Sequence, residues 1–172
     1  MLIEICKTKN IKIFQDFIEQ IEKKEREESI PIIGRLLHLC SKFDNIGHFR
    51  YILSNPEYLD ALLSNYEVYY FRIAMSGGLN CLKFFHEKNG SQMPQRTIEY
   101  CIENDNVNCF KYCFEQGCEI TADVFSFVIN FDSVECLKFA HQNGIPIDKE
   151  FLSLTKTLNK AKCYEYYSEI KF

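Results

Sequence analysis

The sequence predicts an all-α protein, a solenoid of about six antiparallel helix pairs in one continuous domain over residues 1–172. Three observations carry that expectation. A phrase headed by cysteine recurs, as CLKFFHEKNG at 81–90, CFKYCFEQG at 109–117 and CLKFAHQNG at 136–144, with a worn copy, CYEYYSE, from Cys163. The heading cysteines Cys81, Cys109, Cys136 and Cys163 are spaced 28, 27 and 27 residues apart, and a phrase at that period marks stacked repeats. A second, shorter apolar stripe at helical spacing fits between successive copies.

The copy at 136–144 sets the rule for the second, or B, helix of each unit. Val134, Leu137, Phe139 and Ala140 fall on one helical face. Asp132 with Glu135 three residues on reads as a capping box opening that helix. Gly144 closes it in a left-handed conformation, and Pro146 discourages continuation. The A helix that follows is FLSLTKTL, 151–158, with Asp148 as its expected cap.

The same unit recurs upstream. The A helices are DVFSFVINF at 123–131, with Thr121 as cap, RTIEYCIEN at 96–104, YYFRIAMS at 69–76 and RLLHLCSKF at 35–43. IGHFRYIL at 46–53 is a B helix, and LIEICKTKN at 2–10 with IKIFQDFIEQI at 11–21 forms the first pair. Ile13 and His48 fall in register with Cys81, at steps of 35 and 33. The longer steps are taken up by EKKEREESIP at 22–31, read as a solvated charge run, and SNPEYLDALLSN at 54–65. The latter holds Tyr58, Leu59, Leu62 and Leu63, too much apolar surface to leave wet, so it is expected to tuck into the core.

Composition narrows the function. An apolar fraction of 47% and an aromatic fraction of 15% are ample for a core. A net charge of −4 offers no basic excess for phosphates, which argues against nucleic acid as a partner. No apolar run is long enough to span a membrane, and MLIEICKTKN lacks the features of a secretory signal. Nine cysteines, four of them tied to the repeat, point away from a disulfide framework. They fit a reducing compartment, the cytoplasm or nucleus.

These residues resemble the ankyrin repeat. Leu37, His38, Leu39 and Cys40 match the family's leucine-histidine-leucine-alanine phrase, with Arg35 and Leu36 where threonine and proline would stand. Ala74, Gly77, Gly78 and Leu79 match the alanine and turn positions, and Lys83, Lys111 and Lys138 match the second helix. The step of 33 is the family period, while 27 and 28 are short by about one β-hairpin finger, so reduced fingers are expected. The cysteine-leucine-lysine flavour is similar to degenerate ankyrin-like arrays of giant DNA viruses and protists. The resemblance implies a fold, and for His38 a ring bonded to the neighbouring loop backbone. It does not by itself imply a role.

Candidate chemistry is sparse. Cys109, Cys113, Cys118 and His141 could in principle make a Cys₃His zinc site, but no CxxC pair occurs and repeat packing already accounts for Cys109. No metal or cofactor is therefore expected. His86 and His141 share one repeat position, five after the heading cysteine. No serine or cysteine lies in a recognisable nucleophile motif, so no enzyme is expected. Gly77 and Gly78 read as a turn with one residue at positive φ, since a phosphate loop needs more glycine and a lysine.

What remains is surface. In ankyrin-like arrays the A helices line the concave side. There the sequence offers Tyr69, Arg72, Glu99, Glu103, Ser126, Asn130, Ser153 and Lys156 as a docking strip for another protein. The expected function is a non-catalytic adaptor or decoy, acting as a monomer on a host or cellular protein, in the host cytoplasm if viral. Self-assembly as a structural or virion component through the solenoid ends is the alternative. A zinc protein or an enzyme on the same helices ranks behind both.

Overall fold

The computed structural model describes residues 1–146 and 149–170, with side chains for all of these but 26, 27, 122, 149, 150 and 152. Every regular element among the described residues is an α-helix. The chain forms two compact units, Met1–Ser91 and Gln92–Phe172.

The first unit holds α1 (Leu2–Lys7), α2 (Ile11–Glu22), α3 (Arg26–Lys42), α4 (Ile46–Leu53), α5 (Pro56–Leu63), α6 (Tyr66–Ser76) and α7 (Leu79–Asn89). Helices α1/α2, α3/α4 and α6/α7 are its pairs. The A helices pack in a row, α3 on α1 and α6, and the B helices in another, α4 on α2 and α7. Helix α5 is the segment expected in the core. It packs on α3, α4 and α6, with Tyr58 and Leu62 buried.

The second unit holds α8 (Thr97–Ile102), α9 (Val107–Glu115), α10 (Ala122–Phe131), α11 (Val134–Gln142), α12 (Lys149–Thr157) and α13 (Ala161–Glu169). Here α10 packs on α8, and α11 on α9 and α13. Thr121 caps α10, accepting from the Val124 N–H at 3.4 Å. Gly144 ends the turn after α11 at φ +84°. Asp148, the expected cap of α12, lies outside the described residues.

One residue controls the corner between the helices of a pair. Asp44, Gly77, Asp105, Asp132 and Asn159 all have positive φ, between 45° and 81°. That left-handed conformation reverses the chain in two to four residues. Glycine adopts it freely, and aspartate and asparagine tolerate it better than other residues.

The aspartates also reach forward. The Asp44 carboxylate accepts from the backbone N–H of Asn80 (3.0 Å) and Cys81 (3.3 Å). Asp105 accepts from Glu135 and Cys136, both at 3.1 Å. Asp132 accepts from Lys162 (3.3 Å) and Cys163 (2.9 Å). Each carboxylate thus caps the B helix of the following pair at its heading cysteine, where the first turn leaves N–H groups without helical partners.

This corrects the expected capping box. Asp132 does cap a helix, but α13 rather than α11. The N-cap of α11 is Ser133, whose side chain makes no capping bond, and Glu135 pairs with Lys138 at 2.7 Å. A carboxylate held at positive φ points away from the helix its own residue precedes.

The next residue makes a second tie, to a backbone carbonyl three residues before the previous corner. Asn45 Nδ2 donates to the Cys6 carbonyl at 3.1 Å, and the Ser133 hydroxyl donates to that of Ile102. At Gly78 the approach is closer, since an added Cβ would lie 2.3 Å from the Ser41 carbonyl oxygen. That position has room only for glycine.

Two further expectations change. The charge run at 22–31 is not a loop throughout. Helix α3 starts at Arg26 and runs through Pro31, one turn in, because Ser29 and Ile33 extend its buried face. Ile13, in register with His48 and Cys81, is 51% exposed, and its neighbour Phe14 is buried instead, stacked on His48 at 4.0 Å.

Replacing Asp105 with alanine should lower stability by about 1–2 kcal/mol, the value of a charged cap on two N–H groups. Asparagine at 105 keeps one acceptor and should cost less. Urea unfolding midpoints of the three proteins check this, and equal midpoints would remove the tie from the account.

Candidate functional site

The cysteines are packed thiols. All nine are free and buried. The heading cysteines point at the previous pair, as where Cys81 donates weakly to the Cys40 carbonyl and Cys163 to that of Val128, each at 3.9 Å. Of the four ligands weighed for zinc, His141 bonds the Tyr166 hydroxyl (2.8 Å), and Cys113 lies 3.7 Å from Cys101. Among the described residues no group of three or more His, Cys, Asp or Glu side chains could hold a metal ion.

Burial raises the thiol pKa of Cys101, and of Cys136 and Cys163 with help from the carboxylates of Asp105 and Asp132 that cap their helices. Cys163 is pushed up to about 12. Such thiols stay neutral and unreactive at physiological pH.

Two histidines are held at lowered pKa. His48 is 1% exposed, and burial disfavours its charged form. Its Nδ1 lies 2.9 Å from Asn45 Nδ2, and its Nε2 is a buried atom without a partner. His38 is lowered by burial and by the nearby charges of Arg72 and Lys42. Its Nδ1 lies 2.9 Å from Ser76 Oγ, whose hydrogen goes to the Arg72 carbonyl at 2.6 Å. The ring therefore meets the next A helix rather than the loop backbone that the ankyrin resemblance implied. The hydroxyl is committed to its own helix, so the contact orients α3 against α6 rather than activating a nucleophile.

The A-helix side of the first unit carries an open groove of about 720 Å³. Met1, Leu2 and Ile3 line it from α1 and the residue before it, Arg35, His38 and Leu39 from α3, and Phe71, Arg72 and Met75 from α6. Successive turns of adjacent A helices supply these residues, so the groove follows from stacking the pairs.

Counting back from each left-handed corner gives one register for all A helices. Six residues before it stand His38, Phe71, Glu99, Ser126 and Ser153, and five before it Leu39, Arg72, Tyr100, Phe127 and Leu154. Two before it stand Lys42, Met75, Glu103, Asn130 and Thr157. Six of the eight strip residues therefore share register positions with the groove lining, and Arg72 is in the groove itself. The other two fall elsewhere. Tyr69 occupies a position filled by the buried Leu36, Thr97 and Val124, and its half-buried ring lies 6.3 Å from that of Phe85. Lys156 occupies the position of the buried Ala74, Ile102 and Ile129, yet is exposed on α12.

In the second unit, Glu99 is mostly covered and pairs with Arg96 at 3.6 Å. Glu103, Ser126, Asn130 and Ser153 are exposed. Lys156 lines a smaller hollow of about 360 Å³ with Thr155, Asn159, Lys160, Ala161, Tyr164 and Glu165. Sequence reasoning missed the apolar part of the groove, Ile3, Leu39, Phe71 and Met75. The signal was there in the corner register, which separates outward apolar residues from core ones.

No family model, characterised protein or solved structure matches the chain.

Two solution tests follow. In native protein at pH 8, none of the nine thiols should react promptly with a colorimetric disulfide reagent, and all nine should react in guanidinium. Acidification should destabilise the fold. A lowered histidine pKa means stability that is full above the unfolded value near 6.5 and lost as pH falls through the folded one. The melting temperature should drop between pH 7 and pH 5, and His48→Cys, which installs the residue that α7, α9, α11 and α13 carry as Cys81, Cys109, Cys136 and Cys163, should flatten that drop.

Proposed function

We propose that the chain is a non-catalytic protein-interaction module, built as a solenoid of ankyrin-like repeats with reduced fingers, which docks another protein on its A-helix side. The groove of the first unit is the observation that carries this reading. It is wide and largely apolar, and of its lining His38 and Arg72 also serve the packing of α3 on α6. Support for the repeat assignment comes from the corner, which recurs at steps of 33, 28, 27 and 27, and at Asp44, Asp105 and Asp132 carries the same tie to the following pair. The proposed setting is the cytoplasm or nucleus, in agreement with nine free buried thiols. No helix among the described residues is long and apolar enough to cross a membrane.

The mechanism is rigid presentation. Preformed helices offer their face without the entropic cost of ordering a loop. Affinity capture from the native cell tests it. The wild-type chain should retain a partner that Leu39→Glu loses while keeping its helical circular dichroism, and a capture pattern indifferent to Leu39→Glu would move the site off the groove.

Self-assembly is the second reading. Ile11 and Ile13 on α2 are 40% and 51% exposed and offer an apolar end face. A mass that rises with concentration, and falls back in Ile13→Glu, would favour it.

A further inference from the structure

The groove has a charge character opposite to that of the chain. The protein carries a net −4, yet the lining contains two arginines, a histidine and no carboxylate. Neither Arg35 nor Arg72 makes an ion pair among the described residues. The closest acid on α1, Glu4, is engaged with Lys7 at 3.8 Å, and Glu67 sits in the first turn of α6, away from the lining.

Arg72 is also held in place. Its guanidinium lies 6.0 Å from the centre of the Tyr69 ring. It rests over Gly34 of α3, where an added Cβ would stand 3.8 Å from Nη1 and 3.4 Å from the Tyr69 hydroxyl. Both are ordinary contact distances, so the arginine and tyrosine pack against α3 at Gly34. The cation is thus presented at the groove edge, against α3 and the Tyr69 ring.

Leu39, Phe71, Met75 and Ile3 line the same groove as the two arginines. Methionine and leucine adapt to varied apolar side chains. Two guanidiniums over an apolar floor do not suit a nucleic-acid backbone, which needs a longer run of cations and offers no apolar anchor.

We infer that the occupant of this groove is a short segment of the partner protein in which an aspartate or glutamate stands beside two or more large apolar residues. Its carboxylate pairs with Arg35 and Arg72, and its apolar side chains cover Leu39, Phe71 and Met75. Arginine forks match carboxylate geometry, and a partly desolvated pair fixes the register of the segment. This rests on the interaction-module reading above and adds the chemistry of the ligand.

The test is selection of random dodecapeptides displayed on phage against the whole chain, followed by fluorescence anisotropy with synthetic peptides. The enriched sequences should place Asp or Glu next to Leu, Phe, Ile or Met. Changing that acid to its amide should weaken binding by roughly tenfold, as should Arg72→Gln. In the Arg35→Gln/Arg72→Gln protein the acid and amide peptides should bind alike, which a change of fold would not produce. Arg35 is exposed, so Arg35→Gln alone serves if Arg72→Gln melts the protein. Enriched peptides that are neutral or basic yet are lost on Leu39→Glu would overturn the acidic ligand and keep the groove. Peptides indifferent to Leu39→Glu, or no enrichment, would overturn both. Tighter binding to phosphatidylserine vesicles than to any peptide would replace the protein segment with a membrane.

Discussion

The structure depends on an aspartate held in the left-handed conformation. Its backbone turns the chain from A helix to B helix, and its carboxylate takes the free N–H groups of the next pair's B helix. A local turn and a contact about thirty residues away are therefore set by one side chain. The residue it holds is the heading cysteine, which packs against the carbonyl end of the previous A helix. A small side chain is needed there, because the carboxylate has already drawn the two helices together. The same closeness explains why these thiols are neutral, since an ionised sulfur would be buried beside a negative charge. Gly77 shows the two roles apart, for it supplies the turn and has no carboxylate to reach forward with.

Because these ties run from A-helix ends to B-helix starts, they leave the outer face of the A helices unused. Contacts between neighbouring A helices are made by other residues. His38 and Ser76 join α3 to α6 by a hydrogen bond at the groove wall. Tyr69 and Arg72 lie against α3 at Gly34. The groove is the space left between helices whose spacing is fixed at their ends. Its lining can change without disturbing the corners.

Much of this was legible in the sequence. The cysteine phrase pointed to an all-α chain, and helices form over the stretches it marked, although α3 begins at Arg26, well before the expected 35. The left-handed glycines and the Thr121 cap were readable because glycine and threonine have narrow local preferences. Asp132 was misassigned for an instructive reason. A capping box is a local pattern, and this carboxylate serves a helix 30 residues on, which no window along the chain can see. The stretch 22–31 reads as a solvated charge run, but the burial of Ser29 and Ile33 carries α3 through it and outweighs the hydrogen bond missing at Pro31. Among the site residues, Arg72 was found because arginine on an A helix stands out. Leu39, Phe71 and Met75 were not, because an apolar residue looks like core until the register shows which way it faces.

That register also separates what the fold needs from what a partner would read. Positions three and four residues before a corner are small or apolar as with Ser41, Ala74, Ile102 and Ile129, with Lys156 on α12 the exception. Positions five, six and nine before it vary freely in charge. In the first unit they include Arg35, His38 and Arg72, and in the second Arg96, Glu99 and Asp123. Substitution at the first set opens a cavity or buries a clash, at a cost of several kcal/mol. Substitution at the second set acts on what the surface attracts, except at His38, whose ring is bonded to Ser76 of α6. A chain with this division can hold its scaffold constant while the charge of each face is set separately. The cationic groove of an acidic protein is one result of that independence.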